Sequence, residues 1–291
     1  MNIVHIGYPK TATTFLQWEV FPNLKGINYV DYRKCEKIFP DLIYLDELDY
    51  EKENVKQRLN ALMVDGDNLL SFESLAGAPF IYKGLGRSQI PLRLKEIGFD
   101  KVIITIRNQV EMYDSLYRQY VIQGGVMSFR DFLNIDNEWN YYVRAFNPGY
   151  LNYDLLVEKY QAQFGKENIL LLRQEDLKRD KNEFLEQIKK FTNTQFLESI
   201  PSGRKVNKSM SNLSIHVLRI VNHFIFTSQK PNNLIWNAIS TRNVSRIFIA
   251  ILEPFFFKFI SSRKSFLSLE DKLHIEKNYV VSNSRLKELL L

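Results

Sequence analysis

Four short runs of the chain are almost wholly apolar: Ile3 to Ile6, Asn68 to Phe72, Lys101 to Ile106 and Asn168 to Leu172. They alternate little between apolar and polar positions, the pattern of parallel strands covered on both faces. The stretches between them repeat apolar residues at three- and four-residue steps. Leu151 to Phe164 and Asp180 to Phe191 are the clearest, the second behind a charged first turn. Strands alternating with helices predict an α/β fold around a central parallel sheet. From residue 206 onward the spacing is helical, with no clear strand and no Gly/Pro-rich linker. The expectation is one domain over 1–291: an α/β nucleotide-binding core at 1–205, and a helical C-terminal extension at 206–291 on the acceptor side.

Composition narrows the class without naming a function. The 291 residues are 45% hydrophobic and 25% charged, which is ordinary globular composition. Lys and Arg exceed Asp and Glu, 39 to 33, for a net charge of +6, a mild bias toward anionic ligands. The basic residues are dispersed rather than striped, so no nucleic-acid partner is expected. Cys35 is the single cysteine, which excludes an intrachain disulfide and a cysteine-based zinc site and implies a reducing, cytoplasmic setting. The first strand begins at once and leaves no room for a secretory signal, so the sequons at Asn207, Asn212 and Asn243 read as coincidental. The longest apolar stretch, 247–260, carries Glu253, Pro254 and Lys258. It falls short of the roughly 18–20 clean residues of a spanning helix, and its phenylalanines and flanking basic residues leave two readings open: a core or acceptor-site wall, and peripheral contact with the inner face of a membrane.

The first apolar run passes directly into GYPKTATT, residues 7–14. In a parallel α/β sheet, ligands bind where strands turn into helices at their carboxyl ends. Gly7 allows a tight turn, and Thr13 or Thr14 opens a helix whose free N–H groups attract phosphate. Lys10 adds a full charge and the threonines add donors. The loop lacks the second glycine of a Walker A motif. A hydroxyl-rich N-cap beside an exposed lysine is the plainer alternative.

The stretch IVHIGYPKTATTFLQ resembles the 5′-phosphosulfate loop of the sulfotransferases that use 3′-phosphoadenosine 5′-phosphosulfate (PAPS), whose usual form is P-K-T-G-T-T followed by an aromatic residue and Leu. Ala12 stands where that form has Gly, and a positive φ there would strain it. The resemblance implies that Lys10, Thr11, Ala12, Thr13 and Thr14 hold the 5′ side of PAPS, within a P-loop-like three-layer fold. A second match follows the third run: Arg107 ends KVIITIR and Ser115 lies eight residues on, the family's spacing for the 3′-phosphate pair. Arg118 reads as a helix-surface charge. ILLLRQEDLKRD, RKVNKSMSN (204–212) and NYVVSNSRLKELL resemble later family segments, whereas the R-K-G-x-x-G-D-W pattern of the cytosolic small-molecule enzymes is missing.

Sulfuryl transfer to an alcohol needs an acceptor for the hydroxyl proton. Glu73, just past NLLSF, resembles the base of carbohydrate-type and several bacterial sulfotransferases, and Lys10 is placed to stabilise charge on the leaving phosphate. A capping or solvated glutamate is the alternative for Glu73. A histidine base is the other candidate: His5 lies inside the first strand, bonded to backbone or packed, while His216, His223 and His274 lie in helical stretches. No Asp/Glu/His cluster has metal spacing, and no metal is expected. The resemblance implies a bacterial PAPS-dependent enzyme sulfating a sugar, on a surface polysaccharide or glycolipid. A P-loop-type kinase and a non-catalytic nucleotide-binding or membrane-surface protein are the competing functions.

Overall fold

The computed structural model describes residues 1–80, 84, 86–133, 145, 147–200, 210–224 and 265–290. The apolar segment 247–260, the basic loop at 204–209, and Asn207 and Asn243 lie outside the described residues. The chain divides into two compact units, Met1–Asn108 with Phe146–Val206 and Tyr279–Leu291, and Gln109–Ala145 with Asn207–Asn278.

Five parallel strands form the sheet of the first unit: β1 (Asn2–Gly7), β2 (Ile27–Val30), β3 (Asp67–Ser71), β4 (Lys101–Ile106) and β5 (Ile169–Arg173), in the order β2-β3-β1-β4-β5. Four match the apolar runs. The fifth, β2, escapes a reading by apolar run because INYV is only four residues, carries Asn28 and Tyr29, and sits on a partly exposed edge. The central strands β1 and β4 are buried along nearly their whole length, as helices on both faces of a parallel sheet require. The core gathers Ile3, Leu69, Ile103 and Leu172 from the sheet with Leu16, Val20 and Phe21, and with Phe184, Leu185 and Ile188 of the Lys181–Thr192 helix. Asp180 caps that helix by accepting from the Glu183 N–H at 3.0 Å. The Val280–Leu290 helix packs on Tyr153–Phe164. There the buried Asp154 carboxylate accepts from the Ser282 hydroxyl and pairs with Arg285 at 3.5 Å.

In the second unit, the Gln109–Ile122 helix packs against the helices Asn212–Val221 and Leu269–Asn278. Tyr117 is ringed by Phe129, Phe132 and Phe266. Arg118 departs from the surface position expected of it. It is buried, pairs with Asp114 at 2.9 Å, donates to the Met210 carbonyl and to Asn212 Oδ1 at 2.8 Å each, and lies over the Phe266 ring. A guanidinium with five donors satisfies several acceptors at once, which lets a charge sit in an apolar helix face.

Candidate active site

The sheet order makes β1 the strand at which the chain's connections part, toward β3 on one side and β4 on the other. Ligands in parallel α/β sheets bind at such points. The GYPKTATT loop stands there, Glu73 follows β3, and Arg107 follows β4.

Two loop residues take left-handed backbone, Lys10 at φ 65° and Ala12 at φ 67°. Left-handed residues interrupting a turn direct successive N–H groups into one concavity, an anion-binding backbone. The strain expected at Ala12 is therefore present in the fold. Ala12 precedes the helical turn Thr13–Phe15, which continues as a π-helical turn over Leu16–Val20. Gly7 serves differently from the tight turn expected of it, because its φ is not positive. A Cβ there would stand 2.8 Å from both Thr105 Oγ1 and Thr13 Oγ1, so only glycine leaves room for the two hydroxyls. Thr11 points inward, donating to the Tyr8 carbonyl at 2.6 Å and meeting Thr105 Oγ1 at 2.7 Å. Thr13 Oγ1 is buried without a protein partner, an uncommon state for a hydroxyl.

Glu73 opens a short 3-10 turn, Glu73–Ala76, and the preceding residue Phe72 occupies the cap position without a side-chain bond. Enclosure by protein raises the pKa of Glu73 above the ordinary 4.5, against the opposing pull of the Lys10 charge and of the Lys10 main-chain N–H. Lys10 keeps exposed surface, yet protein packed about its ammonium lowers its pKa, with Glu73 raising it and Arg107 lowering it further. Arg107 reaches back to the loop, Nη1 to the Lys10 carbonyl at 3.4 Å. Its own carbonyl accepts from Tyr153 at 2.7 Å, and the next N–H, of Asn108, donates to Glu175 at 2.9 Å. The structure thus brings Lys10, the threonine loop, Glu73 and Arg107 together at the carboxyl ends of β3, β1 and β4. Ser115 lies on the Gln109–Ile122 helix, in the second unit.

His5 is fully buried and bonds side chains rather than backbone, Ser71 at 2.7 Å and Thr105 at 3.2 Å. Burial lowers its pKa to about 3, leaving it a poor proton acceptor. His216, His223 and His274 belong to the second unit. Thr105, Ser71 and Gln17 went unremarked in the sequence; for the first two the signal was a hydroxyl residue within KVIITI and at the end of NLLS. Among the described residues, no group of three or more His, Cys, Asp or Glu is placed to hold a metal, and no helix is long and apolar enough to cross a membrane.

A family model described as "Sulfotransferase domain" matches residues 97–249, more than half of the chain. That span holds Arg107 and Ser115; Lys10 and Glu73 lie before it. A sulfotransferase crystal structure from Alicyclobacillus acidocaldarius is similar at TM-score 0.50 and 17% identity, covering 74% of this chain and 89% of that one. Mouse sulfotransferase SULT7A1 complexed with PAP aligns at TM-score 0.43 and 14% identity, over 98% of this chain and 88% of that one. The first of these likenesses speaks to fold. No curated protein gives a significant match.

Proposed function

The chain belongs to the sulfotransferase domain family, and on that premise we propose that it moves a sulfuryl group from PAPS to a hydroxyl of a sugar, on a bacterial polysaccharide or glycolipid. The observation that carries the reading is the meeting of a left-handed loop with a carboxylate and a guanidinium: Lys10 acts on the Glu73 carboxylate while Arg107 reaches the Lys10 carbonyl. The loop's N–H groups, Lys10 and Thr13–Thr14 hold the 5′-phosphosulfate, with Thr11 and Ala12 contributing backbone. Arg107, with Ser115, takes the 3′-phosphate; a guanidinium fork suits a phosphate dianion.

In the transfer, the acceptor oxygen forms a bond to sulfur as the bond from sulfur to the 5′-phosphate oxygen breaks. The hydroxyl proton goes to Glu73, and adenosine 3′,5′-bisphosphate (PAP) leaves with Lys10 neutralising its 5′-phosphate. The raised pKa of Glu73 suits it to accept that proton. A sugar acceptor is supported by this carboxylate in place of a histidine and by the absence of the small-molecule signature. Residues 1–291 act as one domain, with 206–291 on the acceptor side; the single buried thiol, Cys35, suits a cytoplasmic setting, and no metal takes part.

Labelled PAPS incubated with polysaccharide, glycolipid and phenolic acceptors tests the reading. Label in the sugars, lost with Glu73→Gln and Arg107→Ala, is the expected result. Label in phenols alone overturns the acceptor class. Phosphoryl transfer from ATP and Mg²⁺ with none from PAPS overturns the donor.

A further inference from the structure

Beneath the loop, polar side chains run in a line across β3, β1 and β4, where a parallel sheet ordinarily places aliphatics. The register sets His5 beside Ser71 and Gly7 beside Thr105. Gln17 Nε2 donates to Ser71 Oγ at 3.0 Å, and Ser71 Oγ meets His5 Nδ1 at 2.7 Å. His5 Nε2 meets Thr105 Oγ1 at 3.2 Å, Thr105 Oγ1 meets Thr11 Oγ1 at 2.7 Å, and Thr11 donates to the Tyr8 carbonyl at 2.6 Å. All five side chains are buried.

Counting protons gives this line a direction. Thr11 has one hydroxyl hydrogen and gives it to the Tyr8 carbonyl, so the hydrogen between the two threonines belongs to Thr105. Thr105 can then only accept from His5, which places the imidazole proton on Nε2. The bare Nδ1 accepts from the Ser71 hydroxyl, and Ser71 accepts from the Gln17 amide. The reverse order fails at both ends, since an amide NH₂ cannot accept and a carbonyl cannot donate. Every hydroxyl in the line then donates once and accepts once, the arrangement in which buried bonds reinforce one another.

We propose that His5, as its neutral Nε2–H tautomer, is a positioning residue: through Thr105 it fixes the Thr11 hydroxyl against the Tyr8 carbonyl and so holds the loop in its anion-binding form. The line spans three strands, so the loop's geometry is tied to the sheet rather than to the loop's own sequence. An aliphatic residue at 105 would keep the packing but remove the hydrogen bond that Thr11 accepts, leaving its hydroxyl held by the Tyr8 carbonyl alone. The inference goes beyond the proposed reaction and rests on it in one respect, that the loop receives the 5′-phosphosulfate.

Two measurements test it. Nitrogen-15 spectra of the wild-type imidazoles report which nitrogen of His5 carries the proton, and need no variant to fold. Calorimetric titration with PAP and with adenosine 3′-monophosphate, which lacks the 5′-phosphate, isolates the loop's share of binding. We expect an Nε2–H tautomer at neutral pH. We also expect the preference for PAP over the monophosphate to fall about tenfold in Thr105→Val, the worth of about one hydrogen bond, and to recover in Thr105→Ser. General loosening of the fold would weaken both ligands alike and leave the preference unchanged. An Nδ1–H tautomer, or an unchanged preference in a folded Thr105→Val, overturns the positioning role alone. A wild-type protein that does not prefer PAP overturns the phosphosulfate reading, and the positioning role with it.

Discussion

The ammonium and main-chain N–H of Lys10, in the loop after β1, both act on the carboxylate of Glu73, the first residue of the turn after β3. The proposed proton acceptor is therefore coupled to the proposed phosphosulfate loop through Lys10. Glu73 is held by two opposing influences: enclosure favours its neutral form, and the Lys10 charge and N–H favour its anion.

Glu73→Gln should lower kcat by about 10²- to 10⁴-fold, the usual share of a general base, while PAP binding persists. In the wild type, kcat should rise with pH through a pKa above the ordinary 4.5 of a glutamate. The same raised value carries a stability signature. The folded carboxyl keeps its proton after the unfolded one has lost it, so stability falls as pH rises through the folded pKa. At pH 7, Glu73→Gln should melt above wild type, and the gap should close toward pH 4.5. A variant that melts lower than wild type at pH 7 removes the enclosure argument.

Ala12→Gly should stabilise the protein. Left-handed backbone costs an L-residue about 1–2 kcal/mol, and the added flexibility of glycine offsets about 0.5–1 kcal/mol of the relief. Urea unfolding should therefore show a gain of up to ~1.5 kcal/mol. Ala12→Val, β-branched at φ 67°, should show a loss. Equal midpoints for all three chains would mean that position 12 does not hold this conformation in solution.

Acid should weaken the fold through His5. Its folded pKa is about 3 against an ordinary 6.5, so on acidification the unfolded chain takes up the proton first. Stability should decline from about pH 6.5 toward pH 3 and be flat in this respect above that window. Melting temperatures of wild type and His5→Gln across pH 3–8 provide the measurement, with the wild type showing the steeper fall. Parallel curves would contradict a buried neutral imidazole.

Arg118→Met in the second unit should cost about 1–3 kcal/mol, because it takes the donor from the buried Met210 carbonyl and the Asn212 side chain and the ion pair from Asp114, which keeps the Phe266 N–H. Arg118→Lys should recover less than half of this, since an ammonium cannot fork to three acceptors. Denaturant midpoints decide it. A loss below ~1 kcal/mol for Arg118→Met would mean that the guanidinium is solvated.

Much of the architecture is legible along the chain. Short, largely aliphatic runs between helical stretches read as strands buried on both faces, and the spacing of Asp180 to Phe191 placed a helix almost to the residue. GYPKTATT and the Arg107–Ser115 interval carried the family likeness, because both are local patterns of residue type and order. What the sequence left open depends on neighbours distant in the chain. INYV becomes a strand only because β3 offers it an edge. Arg118 becomes buried only because Met210 and Asn212 accept from it. Gly7 is required by two threonine hydroxyls, one of them 98 residues away. The meeting of Lys10, Glu73 and Arg107, and the line of hydroxyls from Ser71 to Thr11, follow from the parallel register of β3, β1 and β4. A residue's type states what chemistry it can do, and only the strand pairing decides which chemistries share a place.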